Sequence, residues 1–191
     1  YRIPKEKCEL LVMGADDEYV EKSKDVTSIK HIRDRYNIDT NDFLIVTGGK
    51  IDLAKKQTLL LMDAVRKRED NVKLIVFGSV APELQDKFNA LCDNVKVKYA
   101  GWISANEAYA YFAASNVVFF PGRHSVFWEQ VAALGKPMVV KYWAGTTHID
   151  CDGNVLFLYK DTQDEIQLAL DYVADASHYH SMLIAARRGV D

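Results

Sequence analysis

The chain has 191 residues, of which 49% are hydrophobic and 27% charged, and its formal net charge is −3. That composition builds one globular domain with a substantial core and excludes a disordered or fibrous chain. The mild acidity excludes the basic footprint of a dedicated nucleic-acid binder.

The start, "YRIPKEK", has neither the shape of a signal peptide nor an initiator methionine, so the chain is expected to be a piece of a longer protein. No apolar run reaches the ~18 residues a membrane span needs. Cys8, Cys92 and Cys151 are odd in number and widely spaced, which speaks against a disulfide framework or a CxxC zinc site and fits a reducing cytoplasm. Residues 1–40 are more charged and less periodic than the rest, and are expected to form an interdomain connection, an opening strand "LLVM" (Leu10 to Met13) and one helix. From residue 41 to 191 short apolar runs alternate with amphipathic stretches.

The strand candidates are Phe43–Thr47, Lys73–Phe77, Val95–Ala100, Asn116–Pro121, Pro137–Tyr142 and Val155–Tyr159. Several are apolar on both faces, as strands between two helix layers should be. Helices are expected over 57–68, 82–92, 105–114, 126–134, 164–174 and through the tail "HYHSMLIAARRG". The alternation predicts an α/β, Rossmann-like open and mostly parallel sheet with helices on both faces.

Two strand-to-helix junctions carry unusual chemistry. "FLIVTGGKIDLAKKQ" leaves a buried strand through Gly48 and Gly49, with Lys50 and Lys55 ahead of a new helix. Ligands in open α/β sheets sit at such carboxyl ends. Glycines there admit close backbone approach, while lysines and a helix N-terminus favour an anion such as a diphosphate. Neither the G-x-x-x-x-G-K-[ST] nor the G-x-G-x-x-G spacing is present, and two solvated lysines flanking a turn fit the local pattern equally well.

The second junction, "FFPGRHSVFWEQVAALGKP", passes Arg123, His124, Ser125 and Val126 into a helix that begins with Ser125 as its expected N-cap. Glu129 and Gln130 are candidate acceptors for a ribose diol. His124 on its own reads as a solvated loop residue, and Trp128 as core. His148 and Asp150, at i and i+2, align on neither a strand face nor a helix face, so no metal is expected there.

Taken in order, these segments resemble the carboxy-terminal, donor-binding domain of a GT-B glycosyltransferase of the glycosyl transferases group 1 family, over nearly the whole chain. "TGGKIDLAKK" resembles that family's G-R-x-x-x-x-K-G loop, with Lys50 at the arginine position, Lys55 at the lysine position and Lys56 in place of glycine. "KLIVFGS" with Gly78, and "VKYAGWIS" with Gly101, Trp102 and Ile103, resemble the loops around the nucleotide base. The family's pair of glutamates eight positions apart is altered: Gln130 takes the second site, and the first glutamate is missing.

The resemblance implies that Lys50 and Lys55 stabilise a departing diphosphate. It also implies a nucleotide-diphosphate sugar as donor substrate, no cofactor or obligatory metal, and an amino-terminal acceptor domain elsewhere in the protein. A cytoplasmic setting, peripheral contact of the full-length enzyme with a membrane, and a role in polysaccharide synthesis belong to the same expectation. A sugar-nucleotide epimerase of GT-B fold and a non-enzymatic α/β ligand-binding or regulatory domain stay open beside it.

Overall fold

The structure, a computed structural model, describes residues 4–7 and 14–190. The opening strand expected at Leu10–Met13 lies outside those residues. Six strands form one sheet: β1 (Phe43–Gly48), β2 (Val72–Phe77), β3 (Val97–Tyr99), β4 (Val117–Phe120), β5 (Met138–Lys141) and β6 (Val155–Leu158). Every pairing is parallel and the order is β3-β2-β1-β4-β5-β6, so the chain reverses its direction of travel between β1 and β4.

Alternating strand residues feed two apolar layers. Ile45, Leu74, Val76, Phe119 and Val139 meet α3 (Gln57–Arg66), α4 (Gln85–Leu91), α7 (Gln163–Ala174) and α8 (Ala176–Arg188). Leu44, Val46, Ile75, Val118 and Val140 meet α2 (Val26–Arg35), α5 (Ala105–Ala114) and α6 (Phe127–Ala133) on the other face. Burial from both sides explains why β1, β2 and β4 read as continuous apolar runs.

The amino-terminal segment folds as two helices, α1 (Asp17–Ser23) and α2, because Asp16 and Asp25 each accept amide hydrogens from the following first turn. Arg33 of α2 donates to the carbonyls of Ala114, Asp39 and Asp42, fixing this helix to α5 and to the start of β1. Ser104 and Glu107 close a reciprocal capping box on α5. Asp175 ends α7 and caps α8 with no linker between them.

The third strand is shorter than the six-residue run suggests. Asp93 Oδ1 accepts from the amides of Val95, Lys96 and Val97, holding the chain in a turn until the sheet takes over at Val97. No helix among the described residues is long and apolar enough to cross a membrane.

Candidate functional site

The reversal of strand order leaves a crevice at the carboxyl ends of β1 and β4, the place where open α/β sheets bind ligands. Both unusual junctions of the sequence meet there. Gly48 closes β1 beneath the Phe77 ring, where a Cβ would lie 2.5 Å from ring carbons. Gly49 adopts φ +111°, and its amide donates to Phe77 O at 3.1 Å. Gly78, at φ +113°, comes so close that a Cβ would sit 1.9 Å from Gly49 O.

The stitching continues outward. Ile51 N donates to Ser79 O, Ala81 N to Ile51 O, Gly78 N to Gly101 O at 2.7 Å, and Tyr99 Oη to Gly78 O at 2.6 Å. The turns after β1, β2 and β3 therefore form one backbone platform.

Lys50 and Lys55 stand differently on this platform. Lys55 follows a short turn, Leu53–Lys55, capped by Asp52, and its backbone and stem pack 3.2 Å from where a Gly122 Cβ would be. Its Nζ reaches back over Gly49, beside the Phe127 ring. Burial pushes the Lys55 ammonium below the usual lysine range, and the nearby Asp52 carboxylate opposes that only partly. Such a half-buried cation, with no ion pair among the described residues, gains from a bound counter-charge.

Lys50 is largely exposed, 3.7 Å from Asp52 Oδ2. It lines a cleft of about 620 Å³ with Asp52, Leu53, Ala54 and residues 79–83. The ten-residue α3 begins just behind both lysines with no side-chain cap, its Leu59 amide donating to Lys56 O at 3.0 Å.

The second junction departs from expectation. The α6 helix starts at Phe127 with Val126 at the cap position, one residue later than expected, while Ser125 Oγ accepts a long bond of 3.5 Å from the Phe127 amide and Ser125 O accepts from Trp128 N. Trp128 is fully buried, as core.

Glu129 does not present a free carboxylate for a diol. Its side chain is only 9% exposed; Oε1 lies 3.1 Å from His148 Nε2 and 3.4 Å from His124 Nε2, and Oε2 is buried with no partner among the described residues. His124 also sets its ring edge against Trp128 at 4.5 Å. The carboxylate thus ties the β4–α6 loop to the β5–β6 loop through two imidazoles. Gln130 Oε1 is likewise buried and unpaired among the described residues.

The remaining candidates scatter along the edge. Gly101 takes φ +77°, and Trp102 beside it is 74% exposed at the end of β3. Ile103 packs partly against the α5–α6 layer. Arg123 borders a smaller cleft with Gly122. Sequence reasoning missed the histidine–glutamate–histidine link, because the partners are 5 and 19 positions from Glu129 on separate loops; only fold topology brings them together. Among the described residues, no group of three or more His, Cys, Asp or Glu is arranged to hold a metal ion.

No family model and no curated protein matches the chain by sequence. Solved structures do match by shape. WaaG, a glycosyltransferase involved in lipopolysaccharide biosynthesis, superposes with a TM-score of 0.79 at 16% identity, over 100% of this chain and 54% of that one. A glycosyltransferase from Rickettsia africae gives 0.75 at 13% identity, covering 98% and 53%. Anabaena HepE in complex with UDP gives 0.72 at 18% identity, covering 92% and 50%. The chain spans about half the length of each. It has the Rossmann-like fold of the carboxy-terminal half of GT-B glycosyltransferases.

Proposed function

We propose that residues 41–191 form the nucleotide-sugar donor-binding unit of a glycosyltransferase, with residues 1–40 connecting it to an acceptor domain elsewhere in the protein. The whole enzyme transfers a sugar from a nucleotide-diphosphate sugar to a glycan or lipid-linked acceptor. This domain by itself binds the donor and catalyses little. The observation that carries the reading is the half-buried Lys55, suspended over Gly49 and Gly122 at the crevice between β1 and β4, with Lys50 on the adjoining turn.

In this reading the diphosphate bridges the two lysines near the N-terminal end of α3. Negative charge grows on the diphosphate as the sugar departs, and ammonium groups already in place stabilise it without reorganisation. One such preorganised group contributes ~3 kcal/mol to the barrier. The nucleoside extends over the platform of the β2 and β3 turns, where Gly78, Gly101, Ile103 and the exposed Trp102 offer backbone approach and an aromatic face.

His124 and His148 shape the β4–α6 side through Glu129, with Arg123, Ser125, Val126 and Gln130 on the same segment. No cofactor or metal enters the scheme. A cytoplasmic enzyme of polysaccharide synthesis, touching the membrane only peripherally, fits a donor of this kind. The HepE complexes with UDP and with UDP-glucose support the assignment by shape.

The test is calorimetric titration of the chain with UDP, GDP, ADP and CMP, repeated on Lys50→Ala/Lys55→Ala. Saturable binding of one diphosphate, weakened at least tenfold in the double variant, is expected. A folded chain that binds one of them equally well without the lysines refutes the site.

A further inference from the structure

The amino ends of the strands, opposite the crevice, hold a group of cations that take no part in donor binding. Arg33 Nη1 donates to Ala114 O at 3.0 Å, and Lys136 Nζ donates to the next carbonyl, Ser115 O, at 2.8 Å. Both sit on the carboxyl end of α5, whose dipole supplies only about half a negative charge. Arg187 of α8 closes the group from a third side: a Cβ on Gly135, the residue before Lys136, would lie 3.6 Å from Arg187 Cα.

None of these three cations has an ion pair among the described residues. Asp42 and Tyr179 act on Arg33, whereas Lys136 feels only the two guanidiniums and its own burial. Those influences push its ammonium down to about 8, so about half of Lys136 is free amine at pH 8, against under about 1% of an ordinary lysine. A nucleophile ringed by cations favours any reaction that turns it into an anion.

We propose that Lys136 is a carbamate site: its amine takes up carbon dioxide, and the carbamate anion is held between the guanidiniums of Arg33 and Arg187. The inference stands apart from the donor-binding reading, because no residue of the crevice takes part. A carbamate there bridges α2 and α8 across the end of α5 and so stabilises the fold.

The chemistry closes without an oxidant or reductant. The amine lone pair attacks the carbon of CO2 and forms a C–N bond, one C=O π pair moves onto oxygen, and one N–H proton leaves to water or buffer. Relative to the ammonium, the local charge changes by two units, and three mutually repelling cations become one anion between two.

The hydrogen bonds close as well. The N–H left on Lys136 still donates to Ser115 O. Arg33 spends three of its five N–H groups on the carbonyls of Ala114, Asp39 and Asp42 and keeps two. The Arg187 guanidinium makes no hydrogen bond among the described residues. Arg187 is also exposed, so its side chain swings aside to admit CO2 and returns onto the carbamate.

The test places the chain in carbon-13 bicarbonate at pH 8, follows the carbamate signal by NMR, and traps it with a trialkyloxonium salt for peptide mass spectrometry. The trapped group should fall on Lys136 with about tenfold or greater occupancy over any other lysine, as the difference in free amine requires. Lys136→Met should lose that signal and keep only the one from the amino terminus. Arg187→Ala opens the site but removes a partner of the anion, so occupancy should fall severalfold; a merely more accessible amine would gain.

Bicarbonate should also raise the urea midpoint of the parent over chloride at equal ionic strength, and leave Lys136→Met unmoved. Trapping on no lysine, or evenly over the exposed ones, overturns the proposal, and the parent chain alone decides that. Stabilisation by bicarbonate that persists in Lys136→Met, or an occupancy undiminished in Arg187→Ala, overturns it too, the first by showing a loosely bound anion in place of a covalent one.

Discussion

Gly78→Ala tests the backbone platform directly, and Gly101→Ala is its built-in control. Both glycines have positive φ, +113° and +77°. Placing alanine at such angles costs ~1–3 kcal/mol in strain alone. At Gly101 nothing lies within 4 Å of the added methyl, so strain is the whole effect.

At Gly78 the methyl would stand 1.9 Å from Gly49 O, 2.7 Å from its carbonyl carbon and 2.9 Å from its nitrogen. These are backbone atoms that cannot rotate away. Relief requires the Gly49 peptide to retreat by more than an ångström, which breaks its bond to Phe77 O and loosens the Ile51–Val80 bridge. Losing two backbone hydrogen bonds adds ~2 kcal/mol, so Gly78→Ala should cost ~3–5 kcal/mol against ~1–3 for the control.

Urea unfolding with a shared m-value reads the difference, and the scale predicts a midpoint temperature lower by ~5 °C or more for Gly78→Ala than for Gly101→Ala. Equal destabilisation of the two variants, within ~0.5 kcal/mol, would refute the close approach of the β1 and β2 turns.

Lys136 offers a pH test. Burial, with Arg187 and Arg33 adding repulsion, pushes its ammonium down to about 8 from 10.5. Between those values the unfolded chain binds the proton and the folded chain does not, so stability from this group rises with pH from about 8 to 10.5, and below 8 the penalty is of the order of 3 kcal/mol. Lys136→Met loses the bond to Ser115 O but should still stabilise the fold at pH 7 by ~1–2 kcal/mol and flatten that rise; urea midpoints at pH 7.5 and 10 that move in parallel with the parent would contradict it.

Lys55→Met should leave the fold as stable or slightly more so, because a desolvated charge is removed, while diphosphate affinity in calorimetry falls tenfold or more. Undiminished affinity counts against Lys55 as the anion contact. Trp102→Ala removes an exposed ring and should not move the unfolding midpoint, yet should weaken a bound nucleotide by ~1 kcal/mol if the ring stacks on the base. An unchanged dissociation constant would place the base elsewhere.

The architecture was legible because its signals are local and periodic. β1, β2 and β4 announce themselves as apolar on both faces, and Gly48, Gly49 and Lys55 lie at the strand end where the ligand crevice of such sheets falls. What escaped depends on contacts between distant segments. Ser125 reads as a cap by residue type, yet the first helical turn shifts to leave Val126 in that place. His148 looked stranded beside Asp150, because nothing local says that the β5–β6 loop returns to α6 and meets Glu129. Asp161 and Lys141 are ordinary surface charges in the sequence, and only the neighbouring ends of β5 and β6 make them a pair.

The two sides of the crevice are joined by different kinds of bond. On the β1–β2–β3 side, main-chain hydrogen bonds weld three turns into a continuation of the sheet, so displacing any one of them means shearing backbone pairs. On the β4–β5 side, the loops are held through the side chains of His124, Glu129 and His148, whose torsions turn on far shorter timescales than the main chain shears. Anything entering the crevice therefore meets a stiff jaw and a compliant one, and adjustment of shape falls to the side chains of the compliant jaw while the main chain of the other holds still.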